Sequence, residues 1–228
     1  MTKGTLFVIS APSGAGKSTL VERIRSVFPD MLYSISCTTR SPRFGEIDGA
    51  HYYFVTREKF LSMVAAGELL EWKEVHGNLY GTPLEPVTDV LVTGRRMILD
   101  IDVQGAEEVF KKVPSSIGIF INVPDLDTLE RRLRGRGTET ESSIRTRIGN
   151  AVREMAQANA FRYQIVNDDL EGAARSEDLG VLLLGELDLV PVVAGHLLLR
   201  RVHGLPGGQG FELPVLDDVD DLVQRLPD

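Results

Sequence analysis

The chain has 228 residues and a formal net charge of −8, and 43% of its residues are hydrophobic. This length accommodates one large domain or one domain with an appendage, and the composition is typical of a globular protein. No apolar run approaches the roughly 20 residues that span a bilayer, and no signal peptide is apparent. A single cysteine, Cys37, excludes an internal disulfide. We therefore expect a cytoplasmic protein with no membrane partner.

The negative charge is concentrated towards the end of the chain. Residues 172–228 contain ten acidic and four basic residues, whereas residues 1–171 are close to neutral. The arginines of the near-neutral part occur in local clusters, which suit a small anionic substrate better than a nucleic-acid surface. We therefore expect no nucleic-acid partner.

The first two predicted elements are a strand and a helix that flank a glycine-rich turn. Residues 5–9 form an apolar, β-prone run, and apolar residues recur at helical spacing over 20–28, before Pro29. Gly14 and Gly16 allow backbone N–H groups of the turn to converge on a phosphate group. The N-terminus of the helix points to the same place and favours an anion there.

The two side chains that follow these glycines favour a nucleotide phosphate. Lys17 can reach β- and γ-phosphate oxygens, and the hydroxyl of Ser18 can ligate Mg²⁺, as in the motif Gly-x₄-Gly-Lys-Ser/Thr. The sequence departs from this motif at its first glycine, where Ala11 stands. The alternative is a glycine-rich turn with a chance lysine, but the strand–turn–helix context that the motif requires is present.

An arginine pair lies in the next segment. Arg40 and Arg43 are three residues apart, on either side of Pro42. Each guanidinium can donate two parallel hydrogen bonds to a phosphate group, so two that converge make a phosphate clamp. For the pair taken alone, a solvated loop is the alternative interpretation.

Glu71 stands among apolar residues, beyond a short helix predicted from a Thr56 cap to Gly67. A carboxylate only accepts hydrogen bonds. Guanine presents donors at N1 and N2, whereas adenine presents an acceptor at N1, so a partly buried glutamate selects guanine. A glutamate taken alone is more often a surface acid, and this inference therefore depends on the rest of the pattern.

Two acids end a predicted strand in the middle of the chain. After a helix predicted over 84–93, residues 97–102 form an apolar run that places Asp100 and Asp102 on one face. Ligands of open α/β sheets bind beyond the carboxyl ends of strands. Asp100 resembles the acid that supports Mg²⁺ at the end of the second nucleotide-binding strand. The alternative is an acid that starts a turn.

The remaining elements complete an α/β pattern. A helix over 105–113 and a strand over 117–123 precede two arginine-bearing helices, over 125–136 and 141–158, and a last strand over 163–167. The arginines near the junction of the helix pair favour a lid over a triphosphate, and a charged, solvated pair is the alternative. Strands that alternate with helices predict a mostly parallel sheet covered on both faces.

Six motifs together resemble the guanylate kinase family over residues 4–171. In chain order they are Ala11-Pro12-Ser13-Gly14-Ala15-Gly16-Lys17-Ser18, Thr38-Thr39-Arg40-x-Pro42-Arg43-x-Gly45-Glu46, Gly77-Asn78-x-Tyr80-Gly81-Thr82, Leu99-Asp100-Ile101-Asp102-x-Gln104-Gly105, Arg134-Gly135-Arg136-Gly137 and Ile165-Val166-Asn167-Asp168-Asp169. The resemblance implies transfer of the γ-phosphoryl group of ATP to GMP in purine nucleotide metabolism, with Mg²⁺ as the cofactor. It also implies a P-loop NTPase-type α/β fold, in which a parallel sheet flanked by helices carries a small mixed α/β GMP-binding insert and a helical lid. We place the domain at residues 1–175, the insert at 34–83 and the lid at 125–156.

The resemblance also implies a role for individual residues. The catalytic residues would be Lys17, Arg40, Arg43, Arg136 and Arg147. The ATP-binding residues would be Ala11, Pro12, Ser13, Gly14, Ala15, Gly16, Lys17, Ser18, Thr19 and Asn167. The GMP-binding residues would be Ser36, Arg40, Arg43, Tyr52, Glu71, Tyr80, Thr82 and Asp102. The residues that support Mg²⁺ would be Ser18 and Asp100.

Two other functions are compatible with the same fold. One is a kinase for another phosphorylated acceptor, such as a different nucleotide or a sugar phosphate. The other is a nucleotide- or protein-binding module that has lost catalysis. Modules of the second kind tend to lose the phosphate loop, and the presence of Lys17 and Ser18 argues against it here.

The acidic tail, residues 176–228, does not resemble the family. Its sequence is rich in Leu, Val, Gly and Pro, where the family generally ends in one charged amphipathic helix. The abrupt change favours a tail produced by an altered reading frame, with a substitute for the final helix near residues 176–190. The alternative is a natural appendage whose apolar runs pack on the domain or on a partner.

Overall fold

A seven-stranded sheet runs through the centre of the structure, and a four-stranded sheet lies beside it. The computed structural model describes residues 4–75, 77–135, 140–167, 193–194 and 197–201. The strands in these residues are β1 Thr5–Ser10, β2 Leu32–Tyr33, β3 Cys37–Thr38, β4 Tyr53–Phe54, β5 Leu69–Val75, β6 Asn78–Pro83, β7 Arg96–Asp100, β8 Ile117–Asn122, β9 Tyr163–Asn167, β10 Val193–Ala194 and β11 Leu197–Arg201. The α-helices are α1 Lys17–Val27, α2 Arg57–Ala65, α3 Leu84–Thr93, α4 Val103–Lys112, α5 Leu126–Gly135 and α6 Glu141–Ala156.

The central sheet has the strand order β10-β11-β9-β8-β1-β7-β2. The five strands from β9 to β2 pair in parallel, which confirms the mostly parallel sheet expected from alternating strands and helices. Strands β1 and β7 are neighbours, and the register places Ile9 opposite Asp100. The phosphate-loop turn and the acid that ends β7 therefore lie at the same edge of the sheet.

Helices cover both faces of this sheet. Phe7 and Ile9 of β1 pack in one cluster with residues of α1, α5 and α6, whereas Leu6 and Val8 pack in a second cluster with residues of α3 and α4. All four side chains are buried. Because both faces are covered, β1 reads as a continuous apolar run rather than as an alternating one.

The helix ends follow the capping residues of the sequence. Thr56 caps α2, since its side chain accepts a hydrogen bond from the backbone N–H of Lys59. Gly94 ends α3 with a φ of 74°, a left-handed conformation that suits glycine. The predicted bounds of these two helices and of the last parallel strand, β9, are confirmed.

The predicted strand over 97–102 is too long at its C-terminal end. Strand β7 ends at Asp100, and Asp102 instead caps α4, where its Oδ1 accepts a hydrogen bond from the backbone N–H of Gly105 at 2.9 Å. The run of apolar residues continues through Ile101, but Asp102 satisfies an N–H group in the first turn of α4 that would otherwise lack a partner. Asp102 therefore reaches the site from the start of a helix.

The second sheet has the order β4-β3-β6-β5 and is built from residues 37–83. Strands β5 and β6 form an antiparallel hairpin. Phe60 and Met63 of α2 pack under this sheet against Leu69 and Leu79. This small core fixes β5, the strand that carries Glu71.

Helix α5 packs directly on the phosphate loop. Gly14 has a φ of 101°, and a Cβ atom placed there would lie 2.9 Å from Cδ1 of Leu129 and 3.0 Å from Cδ2 of Leu133. A larger residue would strain the turn and push α5 away from it. The contact couples the predicted lid to the loop.

Strands β10 and β11 add part of the tail to the sheet beyond β9. Strand β11 pairs antiparallel with β9, from Leu197 opposite Asn167 to Arg201 opposite Tyr163. The substitute helix predicted near residues 176–190 lies outside the described residues. Within the described residues, no helix combines the length and the apolar character that crossing a membrane requires.

Replacing Phe161 tests the packing of the aromatic cluster beneath the sheet. Phe161 is fully buried, and its ring centroid lies 5.3 Å from those of Phe110 and Phe120. We expect Phe161→Ala to lower the free energy of unfolding by about 3–5 kcal/mol, because it leaves a cavity. Urea unfolding measures the loss. The same change at the exposed Phe44 should cost less than about 0.5 kcal/mol, and equal losses would contradict this description of the core.

Candidate active site

The phosphate loop lies between β1 and α1. Gly16 has a φ of 87° and precedes α1 without any side-chain cap. The first N–H groups of α1 therefore have no capping acceptor from the Gly16 position, and the positive end of the helix faces the loop. Helix N-termini with free N–H groups of this kind are common binding sites for phosphate groups.

Lys17 lies between the loop and the end of β7. Its ammonium contacts the carboxylate of Asp100 and donates a hydrogen bond to the carbonyl oxygen of Ile101 at 3.3 Å. The hydroxyl of Tyr33 approaches the other carboxylate oxygen of Asp100 at 3.4 Å. Burial and the nearby Asp100 raise the pKa of Tyr33 above its ordinary value, so this hydroxyl remains a donor.

Asn167 supports the loop from the end of β9. Its side-chain amide donates to the carbonyl oxygen of Ala15 at 2.7 Å, and Arg132 donates to the backbone carbonyl of Asn167 at 2.9 Å. Asn167 is buried, and no described residue forms a hydrogen bond with its Oδ1. The structure therefore places this residue beneath the loop. Its predicted role in ATP binding stays a prediction.

Helix α6 is joined to the loop through Ser13. Arg147 donates to Oγ of Ser13 at 2.9 Å, and the backbone N–H of Ser13 donates to Oε2 of Glu154 at 3.3 Å. Burial raises the pKa of the Glu154 carboxyl, and the Ser13 N–H opposes that shift. A carboxylate thus accepts from an N–H group of the loop, as a phosphate oxygen does.

Two cavities meet at Lys17 and Ser18. One, of about 340 Å³, is lined by the loop and by Glu154. The other, of about 280 Å³, opens between the central sheet and the second sheet, and both cavities include Lys17 and Ser18 in their walls. We name the first the loop cavity and the second the insert cavity. An anion in each would be close to the same lysine.

Glu71 lies at the base of the insert cavity. The side chain is 5% exposed, and its Oε1 accepts a hydrogen bond from the hydroxyl of Thr82 at 2.5 Å. Burial raises the pKa of the Glu71 carboxyl, while the hydrogen bond from Thr82 and the charge of Lys73 oppose that shift. The burial proposed from the sequence is therefore present.

The start of α4 closes the cavity over Glu71. A Cβ atom added to Gly105 would lie 2.9 Å from Oε2 of Glu71 and 3.5 Å from Oδ1 of Asp102. Only a residue without a side chain allows the helix to approach the two carboxylates this closely. Gly105 is thus needed for the shape of the cavity.

Arg40 is held by an acid of its own loop. Its guanidinium forms two hydrogen bonds of 2.9 Å to the carboxylate of Glu46, which also accepts from the backbone N–H of Arg43 at 2.7 Å. These contacts lower the pKa of Glu46 to about 2. The guanidinium also lies 5.5 Å from the ring centroid of Tyr52, and the Tyr52 ring packs edge-on against Tyr80 at 6.1 Å.

The structure brings most of the predicted site residues together. Those that line the insert cavity are Ser36, Tyr52, Glu71, Tyr80, Asp100 and Asp102, with Lys17 and Ser18. Those that line the loop cavity are Ala11, Pro12, Ser13, Gly14, Gly16 and Thr19, again with Lys17 and Ser18. Ala15 is buried in the turn. Thr82 lies behind Glu71, Arg43 is exposed, and Arg136 lies outside the described residues.

Sequence reasoning missed several residues in these cavity walls. They are Tyr33, Ser34, His51, Lys73 and Ile101 in the insert cavity, and Glu154 in the loop cavity. A local signal was available for Lys73, which stands two residues after Glu71 and so shares its face of a strand. Ser34, His51 and Ile101 also stand within two residues of predicted site residues, whereas Tyr33 and Glu154 reach the site through tertiary contacts that no local pattern reveals.

The acids of the site are too few to hold a metal ion alone. The described residues contain no group of three or more His, Cys, Asp or Glu residues that could do so. Ser18 and Asp100 do line one cavity and present oxygen atoms, which are the ligands that Mg²⁺ takes beside phosphate oxygens and water. This donor set fits Mg²⁺ that arrives with a nucleotide.

A phosphate loop between the first strand and first helix of a parallel sheet covered by helices defines a P-loop NTPase fold. The protein-family model described as guanylate kinase matches residues 3–178 of this chain. A guanylate kinase of Carboxydothermus hydrogenoformans is 48% identical over 82% of this chain and 90% of its own, and one of Rubrobacter xylanophilus is 44% identical over 80% and 95%. A crystal structure of guanylate kinase from Anaplasma phagocytophilum superposes with a TM-score of 0.65, at 32% identity, over 82% of this chain and 87% of that one. The chain belongs to the guanylate kinase family.

Replacing Gly105 tests the close approach of α4 to Glu71. We expect Gly105→Ala to lower the free energy of unfolding by about 1–3 kcal/mol, because the new Cβ displaces a buried carboxylate that Thr82 holds. Urea unfolding checks this. Gly149 of α6 is the matched control, since nothing lies within 4 Å of a Cβ added there. Gly149→Ala should be stabilising by about 0.4–1 kcal/mol, and a stable Gly105→Ala variant would contradict the geometry.

Proposed function

We propose that this chain transfers the γ-phosphoryl group of ATP to GMP, giving ADP and GDP. The observation that carries the proposal is that the loop cavity and the insert cavity share Lys17 and Ser18. A phosphoryl donor in the first and a phosphorylated acceptor in the second would present their phosphates to one lysine. The guanylate kinases to which the chain is similar support the same reaction.

The loop cavity is proposed to hold the triphosphate of ATP. The N–H groups of the loop and of the first turn of α1 bind its phosphate oxygens, and Lys17 pairs with the β- and γ-phosphates. Ser18 and Asp100 would hold Mg²⁺, which neutralises developing charge on the phosphates when bound. The hydrogen bond from the Ser13 N–H to Glu154 must break if a phosphate oxygen accepts from that N–H instead.

The insert cavity is proposed to hold GMP. A buried, ionised Glu71 accepts from N1–H and N2–H of guanine, whereas the N1 acceptor of adenine faces it without a donor. Ser36 and Asp102 complete this end of the cavity, and Thr82 holds Glu71 from behind. At the other end, Arg40 with Arg43, Tyr52 and Tyr80 would bind the phosphate of GMP, and that phosphate would replace Glu46 on the Arg40 guanidinium.

Transfer requires two anions to face each other, so the protein must supply positive charge and exclude water. Catalysis of this reaction rests on alignment and charge stabilisation, because no covalent intermediate is needed. Arg147 already reaches the loop from α6. We propose that the lid closes over the substrates, bringing Arg147 and Arg136 to the transferring group and preventing hydrolysis of ATP.

We also place this reaction in the cytoplasm, as a step of purine nucleotide metabolism. Cys37 is a free, buried thiol, which is compatible with a reducing compartment. The proposed substrate and product are a guanosine monophosphate and diphosphate, so the reaction links two phosphorylation levels of one purine nucleotide.

An acceptor panel tests the selectivity that Glu71 is proposed to impose. ADP production is measured with GMP, AMP, dTMP or UMP as acceptor, and we expect turnover with GMP alone. Glu71→Gln should lower kcat/KM for GMP by about 10- to 100-fold and weaken discrimination, because it replaces a charged acceptor with an amide. Glu68→Gln, an exposed change in the same insert, is the control. Unchanged selectivity in Glu71→Gln would refute the assignment.

Removing the ammonium of Lys17 tests the placement of ATP. We expect Lys17→Ala to lower turnover by at least 10²–10³-fold, on the order of the loss when one charge-stabilising group is removed. GMP binding, measured by calorimetry, should fall much less, because Arg40, Arg43, Tyr52 and Tyr80 remain to bind the phosphate of GMP. The control is Lys111→Ala, which removes an exposed lysine paired with Glu108 on α4. Strong activity in Lys17→Ala would show that ATP lies elsewhere.

A further inference from the structure

A lysine lies in the insert cavity beside the acids proposed to recognise guanine. Lys73 follows Glu71 by two residues on β5, lines the same cavity, and has a side chain that is 20% exposed. Its ammonium contacts the carboxylate of Asp102 at the start of α4. The family resemblance assigns roles to Glu71 and Asp102 but none to Lys73.

Two carboxylates lie near the start of α4, and Lys73 contacts one of them, that of Asp102. Oε2 of Glu71 is 2.9 Å, and Oδ1 of Asp102 is 3.5 Å, from the same point beside Gly105, the position of an added Cβ atom. A buried carboxyl tends to take up a proton unless a cation or hydrogen-bond donor is close to it. Lys73 supplies a cation in the same cavity, two residues from Glu71 on β5.

The groups that face Glu71 come from three elements. Thr82 donates a hydrogen bond from β6, Lys73 lies on β5 together with Glu71, and α4 contributes Lys112, with Asp102 at its start. The ammonium of Lys112 donates a hydrogen bond to the carbonyl oxygen of Leu70. Burial raises the pKa of Glu71, and among the cations that oppose this shift the contribution of Lys73 exceeds that of Lys112.

We propose that Lys73 is a positioning residue for guanine recognition, which acts by keeping Glu71 ionised and Asp102 oriented as hydrogen-bond acceptors. This inference rests on the proposed function, since it assumes that guanine binds at Glu71. A protonated Glu71 would carry a hydroxyl donor towards the N1–H or N2–H donors of guanine, and that contact is lost. The lysine therefore extends guanine selection to lower pH.

The sign of the pH dependence follows from the charges. Guanine recognition is present above the pKa of Glu71 and is lost as the pH falls through it. A positive charge beside the carboxyl lowers that pKa, so removing Lys73 moves the loss to higher pH. Burial lowers the pKa of Lys73 to about 8, although Glu71 opposes this. The ammonium is therefore charged throughout the acid range that matters.

The experiment compares GMP affinity and kcat/KM across about pH 5.5–8.5 for the full chain and its variants. Lys73→Met and Lys73→Gln both remove the charge, and the second retains a hydrogen-bond donor. We expect each variant, relative to the unchanged chain, to lose about tenfold more affinity for GMP near pH 6 than near pH 8. A tenfold difference corresponds to a shift of about one pH unit in the pH below which affinity falls. Lys73→Arg should keep the acid limb of the unchanged chain, that is, the fall of GMP affinity at low pH, whatever its affinity at high pH. Lys59→Met, at an exposed lysine of the insert, should leave the profile unchanged.

Each outcome decides the inference. An acid limb that moves up in both neutral variants and stays in place in Lys73→Arg supports it. An acid limb that is unchanged in Lys73→Met and Lys73→Gln, or one that moves equally in Lys59→Met, overturns it while the proposed function stands. If the unchanged chain neither binds nor phosphorylates GMP, the proposed function fails first, and the inference fails with it.

Discussion

The pairing of charges around Lys17 is the constraint on which the rest of the site depends. A phosphoryl group can pass between two anions only if positive charge stands at the point where they meet. The parallel pairing of β1 and β7 brings the phosphate-loop turn beside Asp100, and Lys17 bridges the two. Both cavities open onto this lysine, so the order of the strands fixes where the proposed transfer takes place.

The cations of the site are held by acids of the chain itself. Lys17 is paired with Asp100, Arg40 with Glu46, and Lys73 with Asp102. Pairing keeps these side chains in place before substrate arrives and limits the repulsion among them. Substrate phosphates would then exchange with carboxylates at Arg40, as they would with Glu154 at the N–H of Ser13. The proposed binding is therefore a change of partner rather than the burial of unpaired charge.

The second sheet buries one carboxylate, and the proposed selectivity rests on that burial. Strand β5 is held by the small core under α2, and its hairpin partner supplies the Thr82 hydroxyl that fixes Glu71. Gly105 lets α4 approach this carboxylate without a clash. Burial makes an unpaired acceptor costly, which is why such a site can reject a base that offers no donor.

The sequence alone determined the elements with strong local signals. The apolar run of β1, the glycines before Lys17, the Thr56 cap and the Gly94 stop each act over a few residues, and the structure has them where expected. Tertiary structure decided what depends on distant residues. Asn167 lies beneath the loop, and Glu154 enters the loop cavity from α6. These contacts join residues far apart in the chain or depend on how separate elements pack, and a local pattern cannot encode a distance that only packing sets.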